Sequence, residues 1–153
     1  MIEVGSPAPD APFLRADGSP SRINAFRGRP LVLYFYPKDD TSGCTREAKD
    51  FSALIDEFSR AGAVVLGISK DSAASHQKFT IKHELKVHLG SDDANAVCTA
   101  YDTWVEKSMY GRKYMGIERA TFLIDADGIV RNIWPKVKVA GHAEAVLAAV
   151  RAL

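Results

Sequence analysis

Cysteine is scarce in this chain: 153 residues contain two, Cys44 and Cys98. Two thiols cannot build the disulfide framework of a small secreted protein. They point to a reducing, cytoplasmic setting, in which a cysteine serves as core, metal ligand or catalyst. Neither has a second cysteine at the Cys-x-x-Cys spacing, so a dithiol exchange site is disfavoured. Long apolar runs are missing too. "LVLYFY" and "AVVLGI" fall far short of the about 20 residues that a membrane-spanning helix needs. No charged start leads into an apolar stretch, so no signal peptide is expected. Nor is there an excess of one charge: 20 Lys and Arg stand against 19 Asp and Glu, for a net +1. That balance offers no complementary surface to nucleic acid or to an anionic membrane.

Other signatures are equally thin. No glycine-rich phosphate loop is present. The four histidines (His76, His83, His88 and His142) are scattered. His83 and His88 lack cysteine or carboxylate neighbours in a ligand pattern, so neither a metal nor a cofactor is expected. Nothing in the spacing places a His or Asn to complete a hydrolase-like triad.

What is present reads as one α/β domain over residues 1–153, with 46% hydrophobic and 25% charged residues. "APFLRADGSPSRI" predicts two short strands around a turn. Residues 31–36 and 62–69 are continuous apolar strands, of the kind buried on both faces of a sheet. Between them a helical period runs over 44–61. A helix capped by Asp71 or Ser72 extends to about His83, a short apolar patch covers 87–91, and another helix lies near 93–101. "RATFLID" and "IVRNIW" flank "ADG" as a hairpin, and an amphipathic helix closes the chain. Trp104 and "RKYMG" (112–116) are left to a pocket or an interface. Alternating strands and helices followed by a hairpin and a helix imply three layers around a mixed central sheet.

Cys44 has peculiar surroundings. With Ala48, Phe51, Ile55 and Phe58 it shares one helix face, which turns it towards the protein body. A lone cysteine on such a face is otherwise a core residue. Here, however, it sits in the first turn, where unpaired N–H groups and the positive end of the macrodipole favour a thiolate. The polar loop "PKDDTSG" precedes it. Thr41, three residues upstream, is placed to reach the free N–H groups or an anion that shares them.

The segment "PKDDTSGC" resembles the peroxiredoxin pattern Pro-x-x-x-(Thr/Ser)-x-x-Cys. Together with "FYPKDDT", "CTREAKDF", "GISKDS", "YGRKYMGIERATFLID" and "VGSPAPDAPFLRADG", it is similar to the bacterioferritin comigratory protein (peroxiredoxin Q) branch of the AhpC/TSA family. The likeness runs over essentially the whole chain. It implies a thioredoxin-like fold with an N-terminal β-hairpin extension, and reduction of hydrogen peroxide and alkyl hydroperoxides through a sulfenic acid at Cys44. By the same resemblance Thr41 orients the peroxide, Pro37 covers the sulfur, Arg119 stands beside the thiolate and Glu47 holds Arg119. An antiparallel pairing of strand 119–125 with strand 31–36 brings Arg119 to the same end of the sheet.

Two departures matter. Ser42 stands where the branch usually has proline, which loosens the loop. Lys49 occupies the position five residues after Cys44 where many members carry a resolving cysteine. Five residues span about 140° and about 7.5 Å along a helix, so in those members the helix must unwind to form the disulfide. That route is absent here. Cys98, on the apolar stripe Ala94, Val97, Cys98 and Tyr101, is the internal candidate that remains, and its surroundings favour a core thiol. A one-cysteine cycle completed by thioredoxin, glutaredoxin or glutathione is therefore expected, in a monomer or homodimer. The alternatives are a peroxide sensor that passes its oxidation to a partner, or a two-cysteine enzyme resolved by Cys98.

Overall fold

Every residue of strand β3 (Leu31–Phe35) is buried, and the sheet is arranged around it. The computed structural model describes residues 2–153. The chain forms β1 (Pro12–Arg15), β2 (Pro20–Arg22), a 3-10 turn (Ile23–Phe26), β3, α1 (Ser42–Ala53), α2 (Ile55–Arg60), β4 (Val64–Ser69) and α3 (Ala73–His83). It continues through β5 (His88–Ser91), α4 (Ala96–Ala100), β6 (Trp104–Met109), β7 (Arg112–Ile117), β8 (Ala120–Ile124), β9 (Val130–Trp134) and α5 (His142–Arg151). Seven strands make a mixed sheet in the order β2-β1-β5-β4-β3-β8-β9. β3 runs parallel to β4 and antiparallel to β8. The N-terminal hairpin β1–β2 joins the sheet by pairing β1 with β5.

Strand alternation divides the interior into two cores. Val32, Tyr34 and Tyr36 face one way, against Cys44, Ala48 and Phe51 of α1, Phe58 of α2, Phe79 of α3 and Val146 of α5. Leu31, Leu33 and Phe35 face the other way, against Phe13, Val97, Cys98, Tyr101 and Phe122. The second face is covered by short α4 and the N-terminal segments rather than by long helices. Among the described residues no helix is long and apolar enough to cross a membrane.

Three differences from the sequence reading have physical reasons. The helical run over 44–61 is broken at Leu54 (φ −103°, ψ 8°), which ends α1 and begins α2. This turn keeps Phe51 and Phe58 in the same core. The helix expected near 93–101 shrinks to Ala96–Ala100, because Asp92 accepts from the N–H groups of Val97 and Cys98 and so starts it late. Residues 104–117, left unassigned, form a separate two-stranded hairpin, β6–β7. Its outer residues are polar or exposed, so it lacks the apolar alternation that marks a strand in sequence.

Tyr34 lies across Gly67 on the neighbouring strand. A Cβ on Gly67 would stand 2.6 Å from the tyrosine ring, and the buried hydroxyl of Tyr34 has no partner among the described residues. Gly67→Ala is therefore expected to destabilise the fold by about 1–3 kcal/mol through overpacking. Tyr34→Phe should leave stability level or raise it by about 1 kcal/mol, since it removes an unsatisfied buried group. Urea denaturation of both variants measures the two effects.

Candidate active site

The loop from Tyr36 to Thr41 connects β3 to α1, and a buried polar cluster sets its shape. Asp39 accepts from the hydroxyl of Tyr36 (2.6 Å) and from that of Ser75 (2.8 Å), while its backbone N–H donates to Asp71 (2.8 Å). His76 is fully buried. Its Nδ1 lies 2.8 Å from Asp39 Oδ2 and its Nε2 lies 3.0 Å from the carbonyl of Gly90. The buried ring is thereby held between the Asp39 carboxylate side chain and the Gly90 carbonyl, which fixes its orientation. Next in the loop, Asp40 takes a left-handed conformation (φ 59°) and accepts from Lys82 and His83 of α3. The loop is thus tied to α3 at two successive residues.

This anchoring delivers Thr41 as the residue before α1 and Cys44 into its first turn. The hydroxyl of Thr41 does not cap the helix, contrary to one of the two roles read from its spacing. It donates to the carbonyl of Lys38 (2.8 Å), which leaves its lone pairs free to accept. The N–H of Thr45 closes the first helical bond on Thr41. The N–H groups of Gly43 and Cys44 have no acceptor among the described residues, as is usual for a first turn.

Arg119 arrives just before β8. Because β3 and β8 are antiparallel with Phe35 opposite Ala120, Arg119 stands at the end of the sheet where β3 feeds the loop. Its Nη2 donates to Cys44 Sγ at 3.2 Å and its Nη1 to Glu47 Oε1 at 2.7 Å. A Cβ on Gly43 would lie 3.3 Å from Nη2, so the glycine leaves room for that approach. Cys44 and Glu47 are each 1% exposed. Burial pushes the Glu47 carboxyl up to about 7, against the opposing pull of Arg119, and its second oxygen has no partner among the described residues. Pro37 and Lys38 are exposed at the mouth of the site.

The sequence of AhpC/TSA family members matches residues 4–133. The chain belongs to the AhpC/TSA family. Within it, the similarity is to the peroxiredoxin Q branch. Peroxiredoxin Bcp of Xanthomonas campestris is 48% identical over 152 residues, which cover 99% of this chain and 95% of that protein. Peroxiredoxin Bcp of Bacillus subtilis is 45% identical over 141 residues, 92% of this chain and 90% of that one. A solved structure of the X. campestris bacterioferritin comigratory protein superposes with a TM-score of 0.87 at 50% identity, over 92% of this chain and 90% of the other. A mutant of Xylella fastidiosa PrxQ gives 0.93 at 36% identity, over 99% and 97%. The mixed sheet and its helices are accordingly the thioredoxin-like fold of peroxiredoxins.

Of the residues singled out from the sequence, Cys44, Thr41, Pro37, Glu47 and Arg119 gather at one end of β3 in this family member. Cys98 does not join them. It is fully buried in the core on the opposite face of the sheet. Burial, with the neighbouring Asp92 carboxylate, pushes its thiol up to about 12. Lys49 is exposed on α1. The sequence reading missed Asp39 and His76. Asp39 lies inside the recognised loop, but His76 is 37 residues away, and no local pattern pairs them.

Two buried groups near Arg119 titrate in opposite senses. Glu47 is raised from 4.5 to about 7, so its contribution to stability is present below pH 4.5 and is lost as pH rises towards 7. His142, lowered from 6.5 to about 4 by burial and by the Arg119 cation, contributes stability above pH 6.5 that is lost as pH falls through 4. Between about pH 4.5 and 6.5 the two oppose each other. Relative to wild type, Glu47→Gln should gain stability with rising pH across that window, by up to about 1.4 kcal/mol per pH unit. His142→Gln should show the reverse slope. Denaturation free energies at several pH values measure both.

Proposed function

We propose that this protein is a thiol peroxidase that reduces hydrogen peroxide and alkyl hydroperoxides at Cys44. The observation that carries the reading is the Arg119 guanidinium, divided between Cys44 Sγ at 3.2 Å and the buried carboxylate of Glu47. A guanidinium held at that distance donates to the sulfur and stands ready to meet negative charge that develops beside it during attack. The X. campestris relative is described as having alkyl peroxide reduction activity, with trapped intermediate and ligand complexes.

In this reading the thiolate attacks the nearer peroxide oxygen along the O–O axis. The S–O bond forms as the O–O bond breaks. The departing oxygen takes the electron pair and a proton and leaves as water or alcohol, and Cys44 becomes a sulfenic acid. Negative charge that develops on the departing oxygen is met by preorganised donors, namely Arg119 and the free N–H groups of Gly43 and Cys44. The hydroxyl of Thr41, with its own proton engaged by Lys38, accepts from the peroxide and orients it. Pro37 shields the sulfur from above.

The second half of the cycle is assigned to an external thiol, with thioredoxin, glutaredoxin and glutathione as candidate reductants in a reducing cytoplasm. Support comes from Lys49 at the position of a resolving cysteine and from the burial of Cys98 in the other core. The whole chain acts as one domain.

Intact-mass measurement after one equivalent of peroxide tests the cycle. Wild type and Cys98→Ser should each gain one oxygen and Cys44→Ser none. A loss of two hydrogens in wild type, replaced by an oxygen gain in Cys98→Ser, would make Cys98 the resolving residue. Arg119→Ala should slow oxidation by peroxide about 100-fold or more, as removal of a preorganised donor does, and stopped-flow fluorescence reads that rate.

A further inference from the structure

Beside the catalytic loop lies a concave surface of about 320 Å³ bounded by Pro37, Lys38, Lys70, Trp104, Lys107 and Tyr114. One wall is the β6–β7 hairpin, which stands apart from the main sheet and leads directly into Arg119. Two features set this concavity apart from ordinary surface. No acidic residue lines it. Moreover, Lys38, Lys70 and Lys107 have no ion-pair partner among the described residues, whereas Lys82 and Lys113 are paired with Asp40 and Glu106. Lys70 instead lies 5.1 Å above the ring of Trp104. Burial, then the Arg119 cation, lowers the pKa of Lys107, with Cys44 and Glu118 pulling the other way. Three cations without an ion-pair partner among the described residues thus border one hollow beside the catalytic loop.

We propose that this hollow binds the reductant, and that the reductant is a low-molecular-weight peptide thiol carrying carboxylates. The inference rests on the peroxidase reading given above. A volume of about 320 Å³ is at the lower end of small-ligand sites, which run to about 300–1,000 Å³. Even a transient redox encounter between two proteins buries about 1,000 Å² in total, whereas the unpaired charge here is confined to one small hollow. Carboxylates of the thiol meet the lysines, and the flat side chains of Trp104 and Tyr114 pack against its backbone.

The chemistry balances without further reagents. The sulfur of the first thiol attacks Cys44 Sγ, an S–S bond forms, the S–O bond breaks, and the hydroxide leaves as water with the thiol's proton. A second thiol then attacks the reductant's sulfur in the mixed disulfide. Cys44 leaves as thiolate and the product is the disulfide of two small thiols. The pair of electrons gained by the peroxide comes from these two thiols.

The test uses the full chain, oxidised at Cys44 by one equivalent of hydrogen peroxide and then mixed in single turnover with glutathione or its diethyl ester. The ester carries the same thiol without the carboxylates. At low ionic strength the acid should reduce the enzyme about tenfold faster, as a cleft of one sign does for an oppositely charged ligand, and the gap should close with added salt. The combined variant Lys38→Gln, Lys70→Gln, Lys107→Gln should bring the acid-to-ester ratio close to one, and Lys70→Gln alone should lower it in part. Each ratio is taken within one protein, so general damage from the substitutions cancels. A wild-type ratio near one, or an undiminished ratio in the variants, overturns the site while leaving the peroxidase reading intact. If peroxide leaves no oxidised Cys44 at all, the peroxidase reading fails, and the site's role falls with it.

Discussion

A single guanidinium joins two parts of the chain that are distant in sequence. Arg119 donates to Cys44 Sγ from one nitrogen and to Glu47 Oε1 from another, and the rest of the architecture serves to keep those three groups together. Glu47 is buried with only one of its oxygens satisfied, which is costly for a carboxylate unless a cation stays close. The glutamate in turn holds the guanidinium fork in place against the sulfur. The antiparallel register of β3 and β8 supplies the arginine, and the first turn of α1 supplies the cysteine and the glutamate on one helix face.

The loop between β3 and α1 has a comparable constraint. A buried 2.8 Å contact between Asp39 and His76 ties it to α3, and the left-handed Asp40 adds a second tie to Lys82 and His83. Removing one partner would leave a buried polar group unsatisfied, which is why the arrangement resists loosening. It also answers the question raised by Ser42, where the branch usually has proline. Side-chain anchors on both sides of the sharp bend, rather than ring stiffness, hold this loop before the helix.

Segregation of the two thiols is the second consequence of the sheet. Alternate residues of β3 face different cores, so Cys44 and Cys98 lie on opposite sides of a layer of buried strands. One sits under an arginine near the surface, and the other is held in a packed helix start by Asp92. The half-reactions of a peroxidase cycle then call for different parts of the molecule: a preorganised pocket for the peroxide, and an accessible surface for whatever thiol follows. The cationic hollow under the β6–β7 hairpin is the surface proposed for that second role.

Much of this was legible in the sequence. The bracketed apolar strands, the helix face carrying Cys44, the "PKDDTSGC" pattern and the Lys49 departure are local features, and local spacing is enough to read them. Arg119 was reachable through the family resemblance, and the antiparallel pairing of two apolar strands agreed with it by bringing the right ends together. Other elements were illegible for equally physical reasons. The β6–β7 hairpin is largely solvated and has no apolar period, and the break at Leu54 depends on where Phe51 and Phe58 must pack. His76 resembles any helix histidine until folding buries it against Asp39. The amino-acid sequence by itself determined the candidate nucleophile, the helix that presents it and the lack of a second thiol nearby, since these depend on residues within a few positions of one another. Only the tertiary structure decided how the loop is anchored, where Cys98 lies and which lysines surround the site, because those depend on distances between segments that meet only when both faces of the sheet are packed.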